Sequence, residues 1–218
     1  MSHIERNYEI IQEKMIEQME HSLKFGKSLI DAELDAGLFN FLVKPVVKSF
    51  YDYWSKNDAK EGTLQQIEAT LDCGRKIVKN GISEDEKEKV IEEYFPKYLK
   101  GDQTYRQCKK NHKDFNELKR ITKDCFITQV EEVVKFLKVK SEVDDYDDLT
   151  KSVYQSKQEA LDALNTQLRY NDAGIKIVEE DPSILKVPTG KNIIIKVLRK
   201  GFIESKKELL GNLERIYN

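Results

Sequence analysis

Apolar residues recur at three- and four-residue steps along most of this chain, the spacing that gathers them on one face of an α-helix. Ile4, Tyr8, Ile11, Met15, Met19, Leu23 and Ile30 predict a first helix over about residues 3–36, loosened midway by Gly26. After Gly37 the pattern becomes almost wholly apolar. Phe39, Leu42, Val43, Val46, Val47, Phe50, Tyr51 and Trp54 make 38–55 the expected buried central helix, kinked or restarted at Pro45. Residues 57–62 read as a linker. Thr63 with Gln66, and Ser83 with Glu86, have the spacing of capping boxes, in which the two side chains satisfy backbone donors at a helix start. The first box opens a helix carrying Leu64, Ile67, Leu71, Ile77 and Val78, which stops at Asn80-Gly81. The second opens one carrying Val90, Ile91, Tyr94, Phe95, Tyr98 and Leu99, bent at Pro96 and ending near Gly101.

From Gln103 onward three longer helical patterns follow. Cys108, His112, Phe115, Leu118, Thr122, Cys125, Gln129, Val133 and Phe136 lie on or beside the first stripe, which acidic residues 142–148 interrupt. Leu149, Val153, Ala160, Leu164, Leu168, Ile175 and Val178 form the second. It stops at Glu180-Asp181-Pro182, because the residue before proline is steered away from helix. Ile193, Val197, Gly201, Leu209, Leu213 and Ile216 place the third over about 189–217. A β-hairpin across 184–195 is the rival there, with β-branched runs flanking a turn-like insert, but the helical period continues to Ile216 and favours helix. The fold class read from these patterns is all-α: a bundle of about six to seven helices, three of them long and antiparallel in the C-terminal half. One domain over 1–218 is expected, with a soft subdivision into 1–100 and 101–218.

Composition agrees with that picture. The chain is 39% apolar and 35% charged, with four Pro and ten Gly in 218 residues, as suits exposed helix faces around a core. Cys73, Cys108 and Cys125 are odd in number and lack C-x-x-C spacing, which predicts reduced thiols and a cytoplasmic protein. The N-terminus has no charged-then-apolar signal pattern. The most apolar stretch is cut by Asn40, Lys44, Pro45 and Lys48, so no transmembrane segment is expected.

Charge is balanced overall at −2 but uneven along the chain. Residues 104–123 hold seven basic against two acidic side chains, and 186–207 hold seven against one. If the two stretches share a face, Lys109, Lys110, Lys113, Lys191, Lys196, Arg199 and Lys200 form an anion-binding surface for acidic lipid or nucleic-acid phosphate. Long antiparallel helices with a basic face are similar in layout to curvature-sensing BAR domains, a likeness of architecture alone.

Signals for catalysis are sparse. Glu17 and His21 stand one helical turn apart, as do Cys108 and His112, spacings that offer two metal ligands each. Neither pair has a second pair at a matching distance, so a charged face and a core stripe are the preferred readings, with no metal or other cofactor expected. Pro188-Thr189-Gly190-Lys191 lacks the first glycine and the hydroxyl residue of a phosphate loop and reads as a turn. Asp144, Tyr146 and Asp148 alternate like Ca²⁺ ligands but lack the glycine and terminal Glu of such a loop. The expected function is therefore a non-enzymatic interaction or oligomerisation scaffold, coiled-coil-like in its stripes and dimeric. Anionic-surface binding through 104–123 and 186–207 is the alternative, and an all-α enzyme with an unrecognised site the second.

Overall fold

The computed structural model describes residues 2–35, 59–140, 142–187 and 190–218. Among them the protein is all-α. The helices are α1 (His3–Asp35), α2 (Ala59–Lys79), α3 (Glu84–Gly101), α4 (Gln103–Gln107), α5 (Phe115–Leu137), α6 (Tyr146–Val153), α7 (Lys157–Glu180) and α8 (Lys191–Tyr217), with a 3-10 turn at Pro182–Ile184. The predicted central helix at 38–55 lies outside the described residues.

Among those residues, α5 is the centre. Eleven of its 23 residues are buried, against three of 24 in α7 and one of 27 in α8. It contributes to all three apolar clusters. Phe126, Val130 and Val134 join α2 and α3, where Phe126 lies 5.9 Å from the Phe95 ring and 4.8 Å from that of Tyr98. Val133, Phe136 and Leu137 join Ile11 and Met19 of α1, Leu71 of α2 and Leu149 of α6. Phe115 and Leu118 join Val178, Ile184 and Leu185. The helices α7 and α8 form an outer layer whose apolar residues are mostly half-buried.

Local signals explain several ends. At Asn80-Gly81 the Gly81 N–H donates to Val78 O and the Ile82 N–H to Ile77 O, with Gly81 at φ 59°, a Schellman stop that glycine alone enters without strain. The hairpin of α2 and α3 then closes tightly. A Cβ on Gly101 would stand 2.1 Å from the Gly62 carbonyl oxygen, so only glycine permits that approach. Buried Thr70, Thr122 and Thr150 each donate their hydroxyl to the carbonyl four residues earlier, so none of these three hydroxyls is orphaned.

The structure corrects four expectations. α2 begins at Ala59, so Thr63 is inside the helix rather than at its cap and 59–62 is not a linker. Ser83 does cap α3, but its hydroxyl meets the Glu86 carboxylate at 3.2 Å instead of a backbone N–H. The stripe read from Cys108 onward is helical only from Phe115. Cys108 is extended and bridges Leu185 in antiparallel fashion, with Lys109 N–H to Ile184 O at 2.7 Å and Lys186 N–H to Gln107 O at 2.8 Å. Those tertiary bonds satisfy backbone groups that a helix would otherwise have paired. Leu149 and Val153 belong to α6, which ends before Ser156. There the Ser156 hydroxyl accepts the Glu159 N–H at 3.2 Å and Glu159 accepts the Gln155 N–H at 2.9 Å, starting α7. The rival hairpin at 184–195 does not form either: Leu185 pairs with Cys108, while Ile193, Ile194 and Ile195 are in α8.

Candidate functional site

The two basic segments do meet. The bridge between Cys108 and Leu185 sets the start of one against the start of the other, and Tyr105, Ile194, Ile195 and Leu198 close the apolar cluster beneath it. Lys186 crosses the junction and donates its ammonium to the Arg106 carbonyl at 2.5 Å.

The seven cations predicted to act together nevertheless have different surroundings. Arg199 points into the layer: it donates through Nε to Glu179 at 2.8 Å and through Nη1 to Asp172, which also holds Lys176 at 2.9 Å. Its hydrogen bonds hold the Glu179 and Asp172 carboxyls below their ordinary range. This is a clasp between α7 and α8 that commits the Arg199 guanidinium to two carboxylates. Lys113 stands 3.7 Å from Asp181 and 4.0 Å from Asp114. Lys196 and Lys200 are exposed but have interactions of their own. Lys110 is exposed, and Lys109 and Lys191 are partly so.

His112 is not on a helix with Cys108. Its Nε2 lies 2.9 Å from the Ser183 hydroxyl and 3.3 Å from Asp181 Oδ2, and its Nδ1 accepts the Asp114 N–H at 3.3 Å. That acceptor role at Nδ1 places the ring proton on Nε2, where Ser183 and Asp181 receive it. Within the described residues His112, Asp114 and Asp181 are the group close enough to share a cation. Lys113, however, already supplies positive charge to both carboxylates. The cluster ties the segment before α5 to the turn after α7. Glu180, Asp181 and Pro182 were visible as a helix stop, but nothing local in the sequence linked Asp181 or Ser183 to a histidine some seventy positions earlier.

The other metal candidates are separated. Glu17 pairs with Lys14 at 2.6 Å, while His21 Nδ1 lies 2.9 Å from Glu208 of α8. Cys73, Cys108 and Cys125 are buried and free, and burial pushes each thiol up to about 12. Such thiols stay protonated at neutral pH and are poor nucleophiles.

On the outside of the layer one apolar residue stands out. Ile203 of α8 is 53% exposed, the large hydrophobic residue that the described structure leaves open to solvent. One turn to either side of it stand Arg199, Lys200, Lys206 and Lys207, and half-buried Leu210 is two turns on. Compared with family models, curated proteins and solved structures, the chain finds no match.

Proposed function

We propose that the protein is a non-enzymatic helical scaffold that associates with a second copy of itself through the outer face of α8. The observation that carries this reading is the exposed Ile203 on a 27-residue helix of which only Ile216 is fully buried. Ile203 stands one residue from the middle of α8. A two-fold axis crossing the helix there sets Ile203 against its own copy, which is the self-complementary contact that a symmetric dimer requires. The protonated, buried thiols and the clasped carboxylates of α7 suit a structural role. Size-exclusion chromatography with light scattering tests it on the full chain. A dimer that survives high salt and becomes monomeric in Ile203→Glu supports the proposal; a monomer at all concentrations, or a dimer indifferent to Ile203→Glu, refutes it.

A second reading rests on the meeting of the basic segments at Cys108 and Leu185. With Arg199 committed to α7, the surface that offers itself to acidic lipid is Lys109, Lys110 and Lys191. Lys113 is half-compensated by its two carboxylates. Co-sedimentation with phosphatidylserine vesicles at low salt, lost in Lys109→Glu/Lys110→Glu, is the result this reading requires. Absence of pelleting removes it.

A further inference from the structure

A cavity of about 370 Å³ lies between α1, α3, α5, α7 and α8, and a second of about 370 Å³ shares Ser22 and Tyr98 with it as walls. The first is within the size range of small-molecule sites. Its wall is mostly apolar, with Phe25, Leu118, Leu168, Ile175 and Phe202 among the lining residues. Glycines enlarge it. Gly174 and Gly201 both line the space, and a Cβ on Gly201 would meet nothing within 4 Å.

Polar groups gather at one part of the wall. Asp102, just after α3, accepts the Tyr105 N–H at 2.7 Å and lies 3.5 Å from the Gln66 amide. As the cap of α4 it also receives the Thr104 N–H, and among the described residues no cation acts on it. Asp102 keeps some accessible surface but sits deep enough in the bundle that burial raises its carboxyl above the ordinary value. Near it, the Cys125 thiol donates to Asn171 Oδ1 at 3.6 Å and receives the Gln129 amide at 3.6 Å. Asp102 and the Asn171 oxygen make this end of the cavity acceptor-rich.

The carboxylate has neutral N–H donors but, among the described residues, no counter-charge, and a positively charged donor in the adjoining cavity would supply one, because a buried charge without an opposite charge is costly. We propose that the cavity is a binding site for a small amphiphilic amine, its ammonium held by Asp102 and its hydrocarbon part lying along α7 and α8 beside Gly174 and Gly201. The amine donates N–H bonds to the carboxylate and the tail displaces whatever weakly held water the apolar wall contains. No covalent step is involved.

Calorimetric titration of the full chain with octylammonium chloride, sodium octanoate and 1-octanol tests the assignment. Octylammonium is expected to bind about ten-fold or more tightly than octanoate, the size of a charge-assisted hydrogen bond. Asp102→Asn keeps an oxygen to cap the Tyr105 N–H, since Asn and Asp cap equally well, so the variant is expected to fold. It should weaken octylammonium about ten-fold while leaving octanol unchanged. Gly201→Leu sends a side chain into the open space and should abolish binding of all three, with circular dichroism confirming the fold. The proposal is overturned if octylammonium does not bind, if octanoate binds as well, if Asp102→Asn has no effect on the amine, or if Gly201→Leu binds like the wild type. None of these outcomes depends on whether α8 pairs with a second copy.

Discussion

Replacing Asn7 probes the tie between the first helix and the central one. Asn7 is fully buried in α1, and its amide donates two bonds of 2.9 Å, to Phe136 O and Val139 O at the C-terminal end of α5. Those carbonyls are among the acceptors that a helix end leaves without an internal partner. In Asn7→Ala the Phe136 oxygen keeps the Val139 N–H at 3.3 Å, but the Val139 oxygen loses the one donor found for it among the described residues. One buried acceptor without a partner costs about 1–3 kcal/mol. For a chain of this length that is roughly 2–4 °C in Tm for each kcal/mol. Asn7→Asp is the sharper variant. At neutral pH it removes both donors and sets a negative charge against two carbonyl oxygens, so it should be less stable than Asn7→Ala. Burial and those oxygens raise the folded pKa of the new carboxyl above its unfolded value. The extra loss is therefore present at high pH and fades as pH falls through the folded pKa, where the acid regains one donor. Urea melts followed by circular dichroism at 222 nm, at pH 7.5 and pH 4.5, with wild type measured at each, give the numbers. Asn7→Ala within about 0.5 kcal/mol of wild type, as for an ordinary surface change, refutes the reasoning. So does Asn7→Asp no weaker than Asn7→Ala at pH 7.5.

Three further outcomes are expected. Gly101→Ala places a methyl against the Gly62 carbonyl, a backbone atom that cannot rotate aside, and should lose about 1–3 kcal/mol or more in the same urea melts. Gly211→Ala, where a Cβ meets nothing within 4 Å, should gain about 1 kcal/mol from helix propensity alone. Arg199→Ala should lose about 1 kcal/mol at pH 6, a modest figure because the pair is partly open to screening. Arg199 holds Asp172 below 3.8 and Glu179 below 4.5, so its contribution is present above those values and lost as pH falls below them. Stability curves of wild type and Arg199→Ala should thus stay apart above about pH 4.5 and converge as pH falls through the lowered carboxyl pKa values; parallel curves would show that the clasp is not formed in solution.

The all-α class, the stop at Asn80-Gly81, the end of α3 near Gly101 and the three long C-terminal helices were readable along the chain. Each depends on short-range physics: a 3.6-residue apolar period, a glycine that enters positive φ, or a proline that blocks the turn before it. The start of α7 was missed: Ser156 and Glu159 have the capping spacing, but the apolar stripe from Leu149 to Val178 runs across them and reads as one helix. Tertiary contacts settled the rest. Cys108 leaves the helical stripe because Ile184 and Lys186 offer backbone partners to Lys109 and Gln107 on either side of it, and His112 meets Asp181 and Ser183 only because that bridge brings the turn after α7 against the segment before α5. Arg199 was one cation among seven in the sequence; only the packing of α8 on α7 made it the partner of Asp172 and Glu179. Periodicity says which side of a helix seeks cover, whereas hydrogen bonds and ion pairs act over a few ångströms between groups distant in sequence, and no local pattern records which distant groups will meet.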